Sequence, residues 1–346
     1  MALARGRHSP GVCYPQSQSR RLRGSAGDGA VRRSTGSLML ALLCGGQGTL
    51  SCKIFDLVAD EPAAEPIFAA ATSLLGADPR EFIRTRSADE LSANHSSQIL
   101  TVTSVLAIHA CIADLLTEPT AVTGYSVGEM AACSIAGIWT ADEALRLTDV
   151  RARLMQDAAK LDGRLGYVRG LNRAELEPLL TMHRCEIAIR NPDLLYVIGG
   201  TEEDVINLCR EAPARGAARA GLLAVRIASH TSLLEPACAP LQQGLAATTH
   251  APIANQRILL AGDGGGRIFS ASDAAARLAG QVARPIDWAA TLEALVEQGV
   301  DRVLDLGPGH ALAEMMQSSL SSIRCYAADG FRTMYGLRSW ISKPSP

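Results

Sequence analysis

The sequence predicts an α/β fold in which a larger subdomain on a parallel sheet is interrupted by a small ferredoxin-like βαββαβ subdomain. Three observations point to it. From Leu38 onward, strand-length apolar runs alternate with helix-length segments, the pattern of parallel strands joined by helices. Between Leu165 and Ser229 the order changes to strand, helix, strand, strand, helix, strand. Finally, the apolar run Ala121 to Tyr125 leads directly into Gly124-Tyr125-Ser126-Val127-Gly128 and a helical pattern, a strand-turn-helix with G-x-S-x-G at its bend. The expected divisions are a disordered basic extension over 1–37, the larger subdomain over 38–164 and 231–346, and the ferredoxin-like insert over 165–230.

Residues 1–36 hold seven arginines, one acid (Asp28) and many Gly and Ser without a hydrophobic period, so they are expected to lack structure. Their charge is +6 against a total of −2, which leaves an acidic body of −8. A transit peptide, a solvated tail and translated sequence ahead of a start at Met39 are the three readings of this segment. Met39 stands directly on the first strand and the chain carries 30 Arg to 3 Lys, a general bias that favours the start-site reading.

Leu38 to Cys44 reads as a buried strand, followed by the loop Gly45-Gly46-Gln47-Gly48 and helical segments through Leu91. Ser97 to Leu116 is a mostly apolar helix, and Thr140 with Glu143 forms a capping box that opens another. The insert is predicted as strand 165–171, helix 172–183, strand 185–190, an Asn191-Pro192 turn, strand 195–200, helix 202–211 and strand 222–228. A helix capped by Ser232 and Glu235, a strand near Ile258, a helix around Trp288 and a strand-loop from Val303 to Gly309 complete the chain.

Composition excludes several functions. Net charge −2 with only 14 aromatic residues is too neutral and too poor in stacking rings for a nucleic-acid surface. The seven-residue apolar run Leu38–Cys44 is far short of the ~20 residues that cross a bilayer. Nine cysteines without a C-x-x-C pair, in a chain of this size, read as reduced thiols of a cytoplasmic protein. No His/Cys spacing suits zinc, so no metal is expected.

Four elements carry chemistry. In G-x-S-x-G the glycines permit a tight bend that exposes the Ser126 hydroxyl, with helix N–H groups aimed at incoming negative charge. The Gly45–Gly48 loop follows the first strand, so its N–H groups would lie beside Ser126 if the two strands are neighbours, forming an oxyanion hole. At ~100° per residue, Arg151 falls on the apolar stripe of Ala144, Leu147, Leu154 and Ala158. A guanidinium buried there needs a carboxylate, either the protein's or a ligand's. His230, at the end of LLAVRIAS, is placed as a general base, with His109 and His310 as rivals.

These elements, with GGQG at 45–48, SSQILTVTS at 96–104, GYSVGE at 124–129, VRARLMQDA at 150–158, ASH at 228–230, QVARPIDW at 281–288 and DLGPGHAL at 305–312, resemble the malonyl-CoA:acyl carrier protein acyltransferase family from Met39 to about Ala328. The resemblance implies an α/β-hydrolase-like larger subdomain with Ser126 as acyl-accepting nucleophile and His230 as its base. It further implies Arg151 as clamp on the malonyl carboxylate, Gln98 as a pocket residue, and the N–H groups of Gln47 and Val127 as oxyanion hole. It implies no permanently bound cofactor: malonyl-CoA is the substrate, and the phosphopantetheine-type thiol of an acyl carrier protein is the acceptor and partner. Two positions depart from the family. Tyr125 replaces the usual His before the nucleophile, and Ala261 stands where the family usually has Asn or Gln, although a backbone carbonyl orients the imidazole in the family. The run Ile227-Ala228-Ser229-His230 resembles a pattern associated with methylmalonyl selection. Within the family, Tyr125-Ser126, RNPDLLYVIGG at 190–200 and FRTMYGLRSWI at 331–341 most resemble the epsilon subunit of bacterial malonate decarboxylase, which loads malonyl onto a carrier subunit.

The expected chemistry is acyl transfer through a serine ester. The alternatives are a malonyl or methylmalonyl transacylase of fatty-acid synthesis, a patatin-like serine hydrolase pairing Ser126 with Asp263, and a non-catalytic carrier-docking subunit. An ordinary α/β-hydrolase is disfavoured because only about two strands precede Ser126.

Overall fold

The computed structural model describes residues 39–48 and 50–343; the predicted extension over 1–37 lies outside the described residues. Ten strands are present among the described residues: β1 (Met39–Cys44), β2 (Thr120–Gly124), β3 (Gly163–Arg169), β4 (Glu186–Asn191), β5 (Leu195–Thr201), β6 (Arg219–Leu222), β7 (Arg257–Leu259), β8 (Ile286–Asp287), β9 (Val300–Asp305) and β10 (Arg324–Ala327).

Strand β1 is apolar at every position because both of its faces are covered. Leu40, Leu42 and Cys44 face a core shared with the helices Asn94–Ala110, Gly128–Ile135 and Ala141–Ala158. Met39, Ala41 and Leu43 face the opposite way, toward Trp288, Leu292 and the insert residues Leu165, Ala188 and Val197. The first sheet is parallel throughout, in the order β10-β9-β1-β2-β7. Strands β1 and β2 are in register from Leu40 opposite Thr120 to Cys44 opposite Gly124, so the Gly45 loop and the Ser126 bend leave the same sheet edge side by side.

The second sheet has the order β6-β3-β5-β4-β8. Its first four strands pair antiparallel around β3 and β5, the sheet order of a ferredoxin-like βαββαβ unit, and two helices cover its outer face through Leu176, Leu179, Val205 and Leu208. Strand β8, contributed from beyond the insert, adds in parallel to β4.

Two local expectations are corrected. The last insert strand is β6 at 219–222, not 222–228, because β3 ends its ladder with Gly166 opposite Leu222. Beyond it, only Leu223 N–H to Leu165 C=O (2.9 Å) and Leu165 N–H to Val225 C=O (3.3 Å) remain, and the chain leaves the sheet toward His230. The helix after His230 begins as a 3₁₀ turn, Ser232–Leu234, without a side-chain cap. Glu186 of β4 takes both the Ser232 N–H and the Ser232 hydroxyl, so the capping box with Glu235 does not form. No helix among the described residues is long and apolar enough to cross a membrane.

Candidate active site

The bend after β2 is built by missing side chains. A Cβ on Gly128 would lie 2.1 Å from the Cys44 carbonyl oxygen, and one on Gly124 would lie 2.2 Å from the Glu129 nitrogen. With those carbons absent, the helix Gly128–Ile135 packs against the end of β1, and Ser126 is held at φ 56°, a conformation costly for serine and typical of functional bends. Tyr125 N–H donates to Cys44 C=O at 2.9 Å, and the Tyr125 ring packs edge-on against Trp288 with centroids 5.2 Å apart. The aromatic residue therefore fills the core where the related pattern has His. Gly128→Ala should cost at least ~2 kcal/mol, since a backbone carbonyl cannot move aside as a side chain can. A drop in the urea midpoint with an unchanged slope checks this.

Of the three candidate histidines, only His230 meets Ser126. Its Nε2 lies 2.7 Å from Ser126 Oγ, and its Nδ1 lies 2.5 Å from the backbone oxygen of Gln281. A carbonyl only accepts, so Nδ1 carries the proton and Nε2 presents its lone pair to the serine. The His230 N–H donates to Val282 C=O at 2.7 Å, and its φ is 64°. Gln281 therefore does what Ala261 cannot. His109 sits inside the helix Asn94–Ala110, and His310 is exposed and paired with Glu314 at 3.4 Å.

Burial and then the nearby Arg151 charge push the His230 pKa down to about 3. A base whose pKa is depressed keeps its lone pair as pH falls, and loses it only below the ordinary imidazole range. Acylation of Ser126 should therefore hold its rate from about pH 8 to about pH 6. A pH profile of kcat/KM checks this, and an acid limb near the unperturbed value of about 6.5 would contradict it.

Arg151 is fully buried, as the helical pattern required. Its Nη1 donates to Gln98 Oε1 at 2.5 Å, while Nε and Nη2 have no partner. Burial lowers its pKa to about 10, so the guanidinium is charged at neutral pH, with two nitrogens of its fork unused. Gln98 thus meets the arginine directly. Its own Nε2 donates to Asn94 Oδ1 at 2.7 Å, which turns its oxygen toward Arg151. Asn94 in turn donates to Ala152 C=O at 2.9 Å and accepts from Gln47 Nε2 at 3.4 Å. The glycine loop, the helix Asn94–Ala110 and the arginine helix are tied together at this one asparagine.

Gly46 packs against Tyr125, where an added Cβ would come 2.6 Å from the carbonyl oxygen. The N–H groups of Gln47 and Val127 have no backbone acceptor among the described residues, so both are available to an oxyanion. Asp305 accepts from the N–H groups of Gly307, Leu312 and Ala313 at 2.9 to 3.1 Å. This fixes the Pro308–His310 loop beside Gly45, whose N–H donates to Gly307 C=O at 3.0 Å. Between these loops and the insert lies a cavity of about 590 Å³ lined by Gln47, Tyr167, Arg169, Arg219, Pro308 and His310. Asp263 pairs with Arg277 at 3.3 Å, and the hydrogen-bond partner of Ser126 is His230. No group of three or more His, Cys, Asp or Glu side chains among the described residues is placed to hold a metal.

Sequence reasoning does not single out Asn94, and it has Glu129 and Gln281 only as parts of the stretches 124–129 and 281–288. Glu129 is 2% exposed, accepts from the Gly262 N–H at 2.7 Å and is hydrogen-bonded to Gln281 Nε2. The available signals were a polar pair at i, i+4 (Asn94 and Gln98) and a carboxylate three residues beyond Ser126.

Residues 53–326 match the protein family described as acyl transferase domain. The malonyl CoA-acyl carrier protein transacylase of Escherichia coli strain K12 is 27% identical over 298 residues, covering 82% of this chain and 93% of that protein. The enzyme of that name from Mycobacterium tuberculosis strain H37Rv is 28% identical over 291 residues, covering 82% and 94%. Among solved structures, the transacylase from Coxiella burnetii superposes with a TM-score of 0.81 at 25% identity, over 89% of this chain and 98% of that one. A malonyl-transacylase solved in complex with a type II PKS acyl-carrier protein gives 0.80 at 25% identity, over 88% and 99%.

Proposed function

We propose, because this chain belongs to the acyl transferase domain family, that it moves a malonyl group from malonyl-CoA through an ester on Ser126 to the thiol of an acyl carrier protein. The observation that carries this is the fully buried Arg151, with half its fork unused, close enough to depress the pKa of the imidazole that contacts Ser126. His230 Nε2 takes the Ser126 proton as Oγ attacks the thioester carbonyl, and the oxyanion is met by the Gln47 and Val127 N–H groups. The C–S bond breaks, His230 returns the proton to the departing CoA sulfur, and a malonyl-serine ester remains. The carrier thiol then gives its proton to His230, attacks the ester and leaves with the malonyl group as Ser126 regains its proton. Throughout, the Nε and Nη2 donors of Arg151 hold the distal carboxylate. The cavity beside Gln47 is the path for the pantetheine arm, and the exposed cations Arg169 and Arg219 meet its phosphate end.

The acceptor we favour is the carrier subunit of a malonate decarboxylase, supported by Tyr125 ahead of the nucleophile and by the stretches 190–200 and 331–341; a fatty-acid carrier is the alternative. Intact-mass measurement after mixing with malonyl-CoA should show one malonyl adduct. Chasing that adduct with each carrier should discharge it faster to the decarboxylase carrier. An absent adduct overturns the transferase reading, and faster discharge to the fatty-acid carrier overturns the finer one.

A further inference from the structure

Glu129 lies three residues beyond Ser126, in the first turn of the helix Gly128–Ile135 that follows the bend, among the buried apolar residues Met130, Ala131, Ala132 and Cys133. A carboxyl group in that setting is costly, and burial raises its pKa to about 8. Both of its oxygens are nevertheless used. Oε1 accepts from Gly262 N–H at 2.7 Å, and Oε2 is bonded to the side-chain nitrogen of Gln281. Gln281 is the residue whose backbone carbonyl fixes the tautomer and direction of His230, and its side chain is 98% buried by the same packing that leaves its Oε1 without a partner. The contacts close a ring: Ser126, its helix, Glu129, Gln281, His230, and back to Ser126 Oγ.

We propose that Glu129 is a positioning residue, holding the Gln281 side chain so that the Gln281 carbonyl keeps His230 aimed at Ser126. This rests on the reading of Ser126 as the acylated group. Without Glu129, residue 281 is anchored by its backbone alone and the imidazole loses its fixed direction, an error that catalysis at about 1 Å tolerance does not absorb. A glutamine at 129 can take the same place: its oxygen accepts from Gly262, and its amide donates to the unused Oε1 of a flipped Gln281.

The test measures two rates on the full chain, phosphonylation of Ser126 by a fluorophosphonate and single-turnover malonyl transfer from malonyl-CoA. Glu129→Ala should slow both by about 10²-fold, with the KM for malonyl-CoA changed less than about threefold. Glu129→Gln should recover at least about tenfold of that loss. Gln281→Ala keeps the carbonyl but drops the side chain, so it should match Glu129→Ala, and the double variant should be no slower than either single one, as expected of one coupled unit. A folded Glu129→Ala with wild-type rates, or losses that multiply in the double variant, overturns the proposal. If Glu129→Ala does not fold, Glu129→Gln and Gln281→Ala decide, and a Gln281→Ala that keeps wild-type rates overturns it. Wild-type protein that is phosphonylated but not malonylated refutes the transferase reading, while the phosphonylation arm still decides the role of Glu129.

Discussion

Ser126→Ala mixed with malonyl-CoA should gain no malonyl mass, and its rate of transfer to a carrier should fall by about 10⁶-fold. His230→Ala should lose nearly as much. The two groups are 2.7 Å apart and act as one unit, so removing either removes the activated nucleophile. On the proposed mechanism, the residual rate is what the Gln47 and Val127 N–H groups and Arg151 supply by binding alone. Asp263→Asn should leave the rate within about threefold, because Asp263 pairs with Arg277 and not with Ser126, whereas a serine-aspartate hydrolase would lose its activity. Single-turnover kinetics followed by intact mass distinguishes these outcomes, and a malonyl adduct on Ser126→Ala would remove the serine from the mechanism.

Arg151→Met should reverse the preference for dicarboxylic acyl groups. The wild-type fork offers two buried, unpartnered nitrogens; truncating one side of a buried charge pair costs about 2–5 kcal/mol, so the malonyl-to-acetyl rate ratio should fall by roughly 30- to 4,000-fold. The same substitution should leave the ligand-free protein at least as stable. A guanidinium that is 0% exposed with only Gln98 on Nη1 is held at the expense of desolvation, and an apolar side chain of similar volume escapes it. Urea unfolding alongside acyl-CoA competition measures both effects. An unchanged ratio would mean that the substrate carboxylate binds elsewhere.

The parts of this site legible in the sequence are those governed by neighbours along the chain. The bend at Ser126 follows from two glycines four residues apart, and the burial of Arg151 follows from helical periodicity over Ala144 to Ala158. The parts that depend on tertiary closure were not legible. LLAVRIAS alternates like a strand, but pairing needs a partner, and past Leu222 only two backbone bonds to Leu165 tie it to β3 before the chain turns away toward His230. Ser232 and Glu235 have capping-box spacing, yet Glu186, 46 residues away, takes the serine first. Gln98 entered only as a pocket residue, because its pairing with Arg151 depends on the packing of two helices 53 residues apart in sequence. Strand β8 is two residues long, below any periodic signal. The carboxylate at 129 reads as the start of an ordinary helix until Gln281 is brought to it across 152 positions.

Strand β8 also bears on how such proteins can be recombined. Its Asp287 grips Arg190 of β4 at 2.8 Å, and six positions earlier the same stretch supplies the carbonyl that steers His230. A chimera that swaps residues 163–230 to change carrier choice would therefore inherit a mismatched seam at the 281–287 segment. Donor and recipient must trade both pieces together, or the hybrid will dock the new partner with a blunted base.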